Sequence, residues 1–279
     1  MSPSRSTDSA LPIGVFDSGV GGLTVLRAVR AVLPAESTIY LGDTARVPYG
    51  TKSRDSVLRY SLQASDQLVR RGIKLLVVAC NTASATSLPE LRARLAPLPV
   101  IGVVEPGAQA AVAASAAQRH LVLATEATVA QRAYTRAIRA LDARASVDEL
   151  ACSLFVALAE EGWVEGDVAA ATAAAYLAPV AERPEQERPD SVILGCTHFP
   201  LLHATIRAAL GPKPAIVDSA TATARAVAGA LEDHGLARTT SARGGLELLV
   251  TDGVARFARL GPRFLGEQFG AADVELVDL

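Results

Sequence analysis

Short apolar runs alternate with helical stretches along almost the whole chain. Eight runs predict strands: Ile13–Phe16, Thr38–Leu41, Leu75–Ala79, Val100–Val103, His120–Ala124, Val147–Leu150, Val192–Leu194 and Ala215–Val217. Five intervening stretches predict helices: Gly22–Leu33, Arg54–Gly72, Pro106–Ala116, Thr128–Leu141 and Gly166–Pro179. Strands that alternate with helices of this length are typical of mainly parallel sheets covered by helices, so the sequence predicts an α/β fold.

Composition excludes several classes of protein. The chain has 279 residues, half of them hydrophobic, which suffices for one large or two small folded domains. A net charge of -2 gives no basic excess for nucleic acid. Three cysteines do not suggest a disulfide framework, which favours a reducing compartment. The N-terminal segment MSPSRSTDSALP lacks a signal peptide's apolar core, and no run reaches the roughly 20 residues of a membrane span. We therefore predict a soluble cytoplasmic protein that binds neither membrane nor nucleic acid.

A weak internal repeat places two cysteines in equivalent positions. "KLLVVACNTAS" (74–84) and "SVILGCTHFP" (191–200) each run from apolar residues into a small residue, a cysteine, polar residues and a helix. This design predicts two similar α/β units, with Cys80 and Cys196 at the carboxyl ends of strands, where ligands bind in open α/β sheets.

Free cysteines are often buried as small apolar residues. Because Cys80 and Cys196 share a strand-to-helix turn, we favour reactive thiols, and we expect a following helix N-terminus to lower each pKa below its usual value of about 8.5. Cys152 has no such context and is predicted to be structural.

The segment "GVFDSGVGG" (14–22) places Asp17 and Ser18 after the first predicted strand. It lacks the Gly-Lys-Ser/Thr of a phosphate-binding loop, and Thr24 stands where a dinucleotide motif needs its third glycine. An ordinary turn with a helix cap would explain it. Alternatively, the turn could hold a small anion while Asp17 accepts a proton or orients a thiol.

Three other segments give weaker signals. Tyr49 and Gly50 lie in a turn that could present backbone amides to a carboxylate, although most such loops only connect elements. Thr125 and Thr128 follow a predicted strand, where helix capping is the simpler interpretation. Glu160 lies near a helix C-terminus, where it is either solvated or turned into a cleft.

Three kinds of chemistry could use the cysteines. Zinc needs three or four ligands, whereas Cys196 and His198 supply one short pair, so we expect no metal. A cysteine nucleophile with His198 as its base would leave the second thiol without a role. Two thiols on opposite sides of a pocket could instead remove a proton from a carbon and return one to its other face, which inverts that centre. We find no pyridoxal phosphate signature.

Seven segments resemble bacterial glutamate racemases, which belong to the wider aspartate/glutamate racemase superfamily. In chain order they are "VFDSGVGGLTV", "YLGDTARVPYG", "VVACNTASA", "ATEATV", "ACSLFVALAEEGW", "LGCTHFPLL" and "VDSA". The resemblance runs from about Ile13 to Ser219 and more weakly to the end. Three positions depart from the family pattern: Ala124 replaces an expected glycine, Ser153 a proline and Phe199 a common tyrosine.

The resemblance implies cofactor-independent interconversion of L- and D-glutamate, with D-glutamate supplied to peptidoglycan synthesis, and a homodimeric protein. It also implies two α/β domains that face each other across a central cleft, one formed by residues 1–98 plus 215–279 and the other by residues 99–214. An aspartate racemase, or an inactive amino-acid-binding protein of the same fold, remains the alternative.

The resemblance also assigns roles. Cys80 would act on D-glutamate with help from Asp17, and Cys196 on L-glutamate with help from His198, while Glu160 would be an additional catalytic carboxylate. Thr125 and Thr128 are weaker substrate-binding candidates. The main substrate-binding candidates are Asp17, Ser18, Tyr49, Gly50, Asn81, Thr82, Thr197 and His198.

Overall fold

Two parallel β-sheets organise the computed structural model, which describes residues 9–279. The ten strands are β1 (Ile13–Asp17), β2 (Thr38–Gly42), β3 (Leu75–Val78), β4 (Val100–Gly102), β5 (Arg119–Ala124), β6 (Ser146–Ala151), β7 (Ser191–Gly195), β8 (Ala215–Asp218), β9 (Leu246–Val250) and β10 (Val274–Leu276). The first sheet has the order β10-β9-β2-β1-β3-β4, and the second has the order β6-β5-β7-β8. Every strand pair is parallel, which confirms the predicted α/β class.

Eleven α-helices are found in the described part of the chain. They are α1 (Leu23–Val32), α2 (Arg54–Arg70), α3 (Asn81–Leu95), α4 (Val104–Ala114), α5 (Glu126–Gln131), α6 (Ala133–Leu141), α7 (Leu154–Glu161), α8 (Asp167–Ala181), α9 (His203–Leu210), α10 (Ser219–Asp233) and α11 (Val254–Leu265). Short 3₁₀ turns occur at Tyr49–Thr51, Glu185–Glu187, Phe199–Leu202 and Ala271–Asp273. The single helix predicted for Thr128–Leu141 is wrong, because Arg132 adopts a left-handed φ of 49° and separates α5 from α6.

Two strands belong to a different sheet from the one that the predicted domain limits imply. The strand β4 pairs with β3 of the first sheet, although the predicted second domain begins at residue 99. The strand β8 pairs with β7 of the second sheet, although residue 215 was assigned to the first domain. The predicted return of the C-terminal segment to the first domain corresponds to β9 and β10, which extend the first sheet beyond β2. The division into two domains itself stays a prediction.

Apolar side chains from both sheets form one continuous core between them. It includes Val15 and Val77 of the first sheet and Leu121 and Val192 of the second, all at most 1% exposed. Helix α10 leaves the second sheet and packs against α1, which follows the first strand of the other sheet. This packing fixes how the carboxyl ends of the two sheets face each other.

Two sequence predictions concern a signal peptide and membrane-spanning segments. The proposed absence of a signal peptide rests partly on residues 1–8, which lie outside the described residues. Within residues 9–279, no helix combines the length and apolar character that crossing a membrane requires.

Candidate active site

Asp17 ends β1 and is almost completely buried at the glycine turn that leads into α1. The backbone N–H of Gly19 donates to Asp17 Oδ2 at 2.8 Å, whereas Oδ1 is buried without a hydrogen-bond partner. Burial raises the pKa of Asp17, and the nearby charge of His198 and the backbone amides of the turn offset part of that rise. The turn thus presents a carboxyl group that can exchange a proton inside the protein.

Cys80 lies at the N-cap position of α3, immediately after β3. Its Sγ accepts from the backbone N–H of Ala83 at 3.5 Å and donates to Ser18 Oγ at 3.5 Å. Burial and the charge of Asp17 raise the pKa of Cys80 to about 12. The predicted lowering of this pKa is therefore wrong, because desolvation and a neighbouring carboxylate outweigh the helix N-terminus. The resting thiol carries a proton at neutral pH.

The second thiol has a different environment at the end of β7. Cys196 Sγ lies 3.9 Å from His198 Nδ1, and His198 Nε2 lies 3.1 Å from Glu160 Oε1. The predicted helix does not directly follow this cysteine, since a 3₁₀ turn intervenes and α9 begins at His203. The neighbouring imidazole, rather than a helix N-terminus, therefore sets the electrostatics here.

His198 and Glu160 favour each other's charged forms. Burial alone would lower the pKa of His198, but hydrogen bonds and charges from Cys196 and Glu160 outweigh it and raise that pKa to about 10. The hydrogen bond from His198 holds the pKa of Glu160 below its usual range, and Arg256 acts in the same direction. The site therefore contains an imidazolium beside one sulfur and a carboxyl group beside the other.

The turns that carry the two thiols lie close together. Thr24 Oγ1, on α1, donates to the carbonyl of Thr197 at 3.1 Å, so the glycine turn and the Cys196 turn touch. A negative charge on Cys196 would raise the pKa of Cys80 slightly further, so the two sulfurs are near each other. Cys80 is 5% exposed and Cys196 is 8% exposed, so both residues are almost completely buried.

Asp43 anchors the loop that carries Tyr49 and Gly50, a role that no sequence motif indicated. Its buried carboxylate accepts hydrogen bonds from the Tyr49 hydroxyl, from Arg46 Nε at 2.7 Å and from Thr251 Oγ1 at 3.0 Å. Gly50 lies so close to Thr125, the N-cap residue of α5, that an added Cβ would lie 2.7 Å from Thr125 Cβ. This loop is therefore held in place against the residue that precedes α5.

Three threonine hydroxyls join the segment that follows β3 to the segment that follows β5. The Oγ1 atoms of Thr82, Thr125 and Thr128 lie 3.0–3.1 Å from one another. Thr125 occupies the N-cap position of α5, but its side chain makes no capping hydrogen bond. Contacts between the halves, rather than helix capping, explain these hydroxyls.

Asn81 has an unpaired amide nitrogen in this buried region. Tyr134, on α6, donates its hydroxyl to Asn81 Oδ1 at 2.7 Å, while Asn81 Nδ2 is buried without a partner. A buried, unpaired amide donor is costly unless a ligand uses it. Asn81 is therefore well suited to donate to a bound carboxylate.

Cys152 and the arrangement of possible metal-ligating side chains remain to be described. Cys152 is fully buried among apolar side chains and its Sγ lies 3.7 Å from the Leu150 carbonyl, as expected for a structural residue. Across residues 9–279, no group of three or more His, Cys, Asp or Glu side chains is arranged to hold a metal ion.

Comparisons with known proteins show which family the chain belongs to. The family model for Asp/Glu/hydantoin racemases matches residues 22–227. Glutamate racemase of Geobacter metallireducens is 50% identical over 267 residues, which cover 96% of each chain. The crystal structure of glutamate racemase RacE1 from Bacillus anthracis superposes with a TM-score of 0.91 at 34% identity, covering 97% of this chain and 98% of that one. The Francisella tularensis glutamate racemase in complex with D-glutamate gives a TM-score of 0.89 at 32% identity, with coverage of 97% and 98%.

The chain belongs to the Asp/Glu/hydantoin racemase family, and the prediction of an amino-acid racemase is confirmed. Within that family, it groups with the glutamate racemases, to which it is similar over nearly its full length.

Proposed function

We propose that this chain interconverts L- and D-glutamate without a cofactor, using Cys80 and Cys196 as two acid/base groups. The observation that carries the proposal is that each thiol follows an inner strand of a different sheet, while the glycine turn beside Cys80 contacts the turn of Cys196. The names of the relatives at 40–50% identity favour glutamate as the substrate.

The two thiols exchange roles with the direction of the reaction. With L-glutamate, the Cys196 thiolate takes the α-proton, and the electrons of the broken C–H bond delocalise into the α-carboxylate. These electrons then form a new C–H bond on the opposite face with the proton of the Cys80 thiol. The pKa of about 12 supports a protonated Cys80 at the start of this direction. With D-glutamate the same steps run in reverse.

The neighbours of each sulfur match these roles. The His198 imidazolium, held by Glu160, stabilises negative charge on Cys196 before the proton is taken. Asp17 lies close enough to Cys80 to affect its pKa, and its raised pKa suits a carboxyl group that accepts the proton of Cys80 when D-glutamate is the substrate. Because the α-proton of glutamate is very weakly acidic, the positioning of the two thiols contributes more to the rate than their acidity does.

We propose that buried polar groups around the two thiols hold the substrate. The free Nδ2 of Asn81 and the amides of the tight turns can bind carboxylates, and Asp17 Oδ1 can accept from the substrate ammonium. The full set is Asp17, Ser18, Tyr49, Gly50, Asn81, Thr82, Thr197 and His198.

Two measurements test the activity. In deuterated water, incubation of either glutamate enantiomer with the protein should introduce deuterium at Cα, while a chirality assay follows loss of optical rotation. Aspartate, which is one methylene shorter, should react more slowly, because a methylene is worth about 1–3 kcal/mol in such pockets. Absence of exchange with both glutamate enantiomers contradicts the proposal, and faster turnover of aspartate would make this an aspartate racemase. Incubation with a chelator should leave the activity unchanged.

We further propose that the chain is a cytoplasmic homodimer that supplies D-glutamate for peptidoglycan synthesis. Expression should allow a bacterial strain that requires D-glutamate to grow without it, whereas the Cys80→Ser variant should not. Light scattering should give twice the mass of one chain, which is 28.9 kDa. If the protein racemises glutamate but does not allow this strain to grow, the role in peptidoglycan synthesis is contradicted and the proposed activity is not.

A further inference from the structure

The carboxylate of Glu160 is held at both of its oxygens. Oε1 lies 3.1 Å from His198 Nε2, and Oε2 accepts from Arg256 Nη2 at 2.8 Å. Arg256 is about half exposed, whereas Glu160 is 18% exposed. Glu160 therefore bridges a surface cation to the buried imidazole beside Cys196.

This ion pair joins elements of the two sheets. Arg256 lies on α11, which follows β9 of the first sheet, while Glu160 lies on α7, which follows β6 of the second. Both side chains line a cavity of about 150 Å³ that also borders Gly19 and Val20 of the glycine turn. The contact thus lies at this cavity, next to the turn that carries Asp17.

We propose that Arg256 is a positioning residue for the reaction of Cys196: it fixes Glu160 from the opposite side of the cleft and so keeps His198 directed at Cys196. This inference rests on the proposed racemase function. Arg256 has no role at the reacting carbon and acts only through Glu160 and His198. Lysine at this position should keep the positive charge and form one hydrogen bond to Glu160 Oε2, whereas glutamine removes the charge.

The charges around Glu160 determine the expected pH effect. His198 and Arg256 favour its ionised form, Asp252 borders the same cavity from the loop before α11, and Asp17 faces His198 from the glycine turn. Removing Arg256 therefore raises the pKa of Glu160, and Glu160 then becomes protonated at a higher pH. The acid limb of the activity profile should move upward.

The test compares three full-length variants with the wild type. Arg256→Gln should lower kcat/KM for glutamate by about fivefold and move the acid limb up by at most about 0.7 pH unit, the size expected for a partly exposed pair. Arg256→Lys should restore most of both. Arg259→Gln, at an exposed position on the same helix, is the matched control and should behave as wild type. Because the enantiomers have equal free energies in water, kcat/KM must fall equally in both directions, which checks each data set.

Further outcomes decide between positioning and mere structure. Combining Arg256→Gln with Glu160→Gln should add no further loss to that of Glu160→Gln alone, since both act on His198. The inference would be overturned if Arg256→Gln had the activity of the wild type, or if the losses of the two variants were additive. It would also be overturned if Arg256→Gln lost activity without a shift of the acid limb and Arg256→Lys did not restore that activity. A wild-type protein that does not racemise glutamate would instead overturn the proposed function.

Discussion

A methyl group at position 21 should separate the glycine turn from the Cys196 turn. A Cβ built on Gly21 would lie 2.5 Å from His198 Nδ1 and 2.6 Å from His198 Cε1, and closer still to Thr197 Oγ1. An ordinary contact needs about 3.4 Å, so the ring must retreat by about 0.9 Å. The ring has little room, because Phe264 packs edge-on against it with centroids 5.3 Å apart.

The size of the effect follows from this displacement. Forcing one extra carbon into a packed interior destabilises a protein by about 1–3 kcal/mol. A shift of about 1 Å in a catalytic group lowers turnover by about 100-fold. Gly21→Ala should therefore lose far more activity than its loss of unfolding free energy would suggest, since His198 can no longer reach both Cys196 and Glu160.

Chemical denaturation and the chirality assay should be run on Gly21→Ala beside a matched control. Gly229 lies within α10, and a Cβ there would meet nothing within 4 Å. Gly229→Ala should leave turnover unchanged and raise stability by about 0.5–1 kcal/mol, because alanine is the better helix former. Turnover of Gly21→Ala within threefold of wild type would refute the close approach on which this reasoning depends.

Three other predictions concern single side chains. Cys80→Ser and Cys196→Ser should each abolish racemisation with an unchanged unfolding midpoint, and near-normal turnover in either variant would remove that sulfur from the mechanism. Folding raises the pKa of His198 from 6.5 to about 10, so its stabilising effect is complete below pH 6.5 and is lost as the pH rises to 10. Denaturant unfolding across that range should show a decline that His198→Gln lacks; parallel curves would contradict it. Tyr134→Phe should leave Asn81 Oδ1 unpaired, lowering unfolding free energy by about 1–3 kcal/mol and raising KM for glutamate; an unchanged KM would show that Tyr134 does not orient this amide.

The sequence predicted those parts of the fold whose signal is local. All eight predicted strands exist, because apolar runs bounded by turns need no knowledge of their partners. The strands β9 and β10 were missed: β10 has only three residues, two of them exposed, so it has little apolar pattern to read. The break at Arg132 was also missed, since a non-glycine residue in the left-handed region has no reliable sequence marker.

The candidate site was predictable where residues follow strand ends. Asp17 is the last residue of its strand and Cys80 and Cys196 come just after theirs, and parallel sheets gather such positions at one edge. Asp43 and Arg256 were not anticipated, because each acts through a partner on a different segment. The sign of the pKa shift of Cys80 was wrong for a similar reason: burial and the distance to Asp17 depend on tertiary structure.

The pairing of β2 with β9 has a consequence for biosynthesis. Thr38 is in register with Leu246, so the first sheet cannot be completed until a ribosome has made nearly the whole chain. The four strands of the second sheet are contiguous between Arg119 and Asp218 and can assemble earlier. A nascent chain halted before residue 246 would expose β2 as an open edge, ready to pair with another copy.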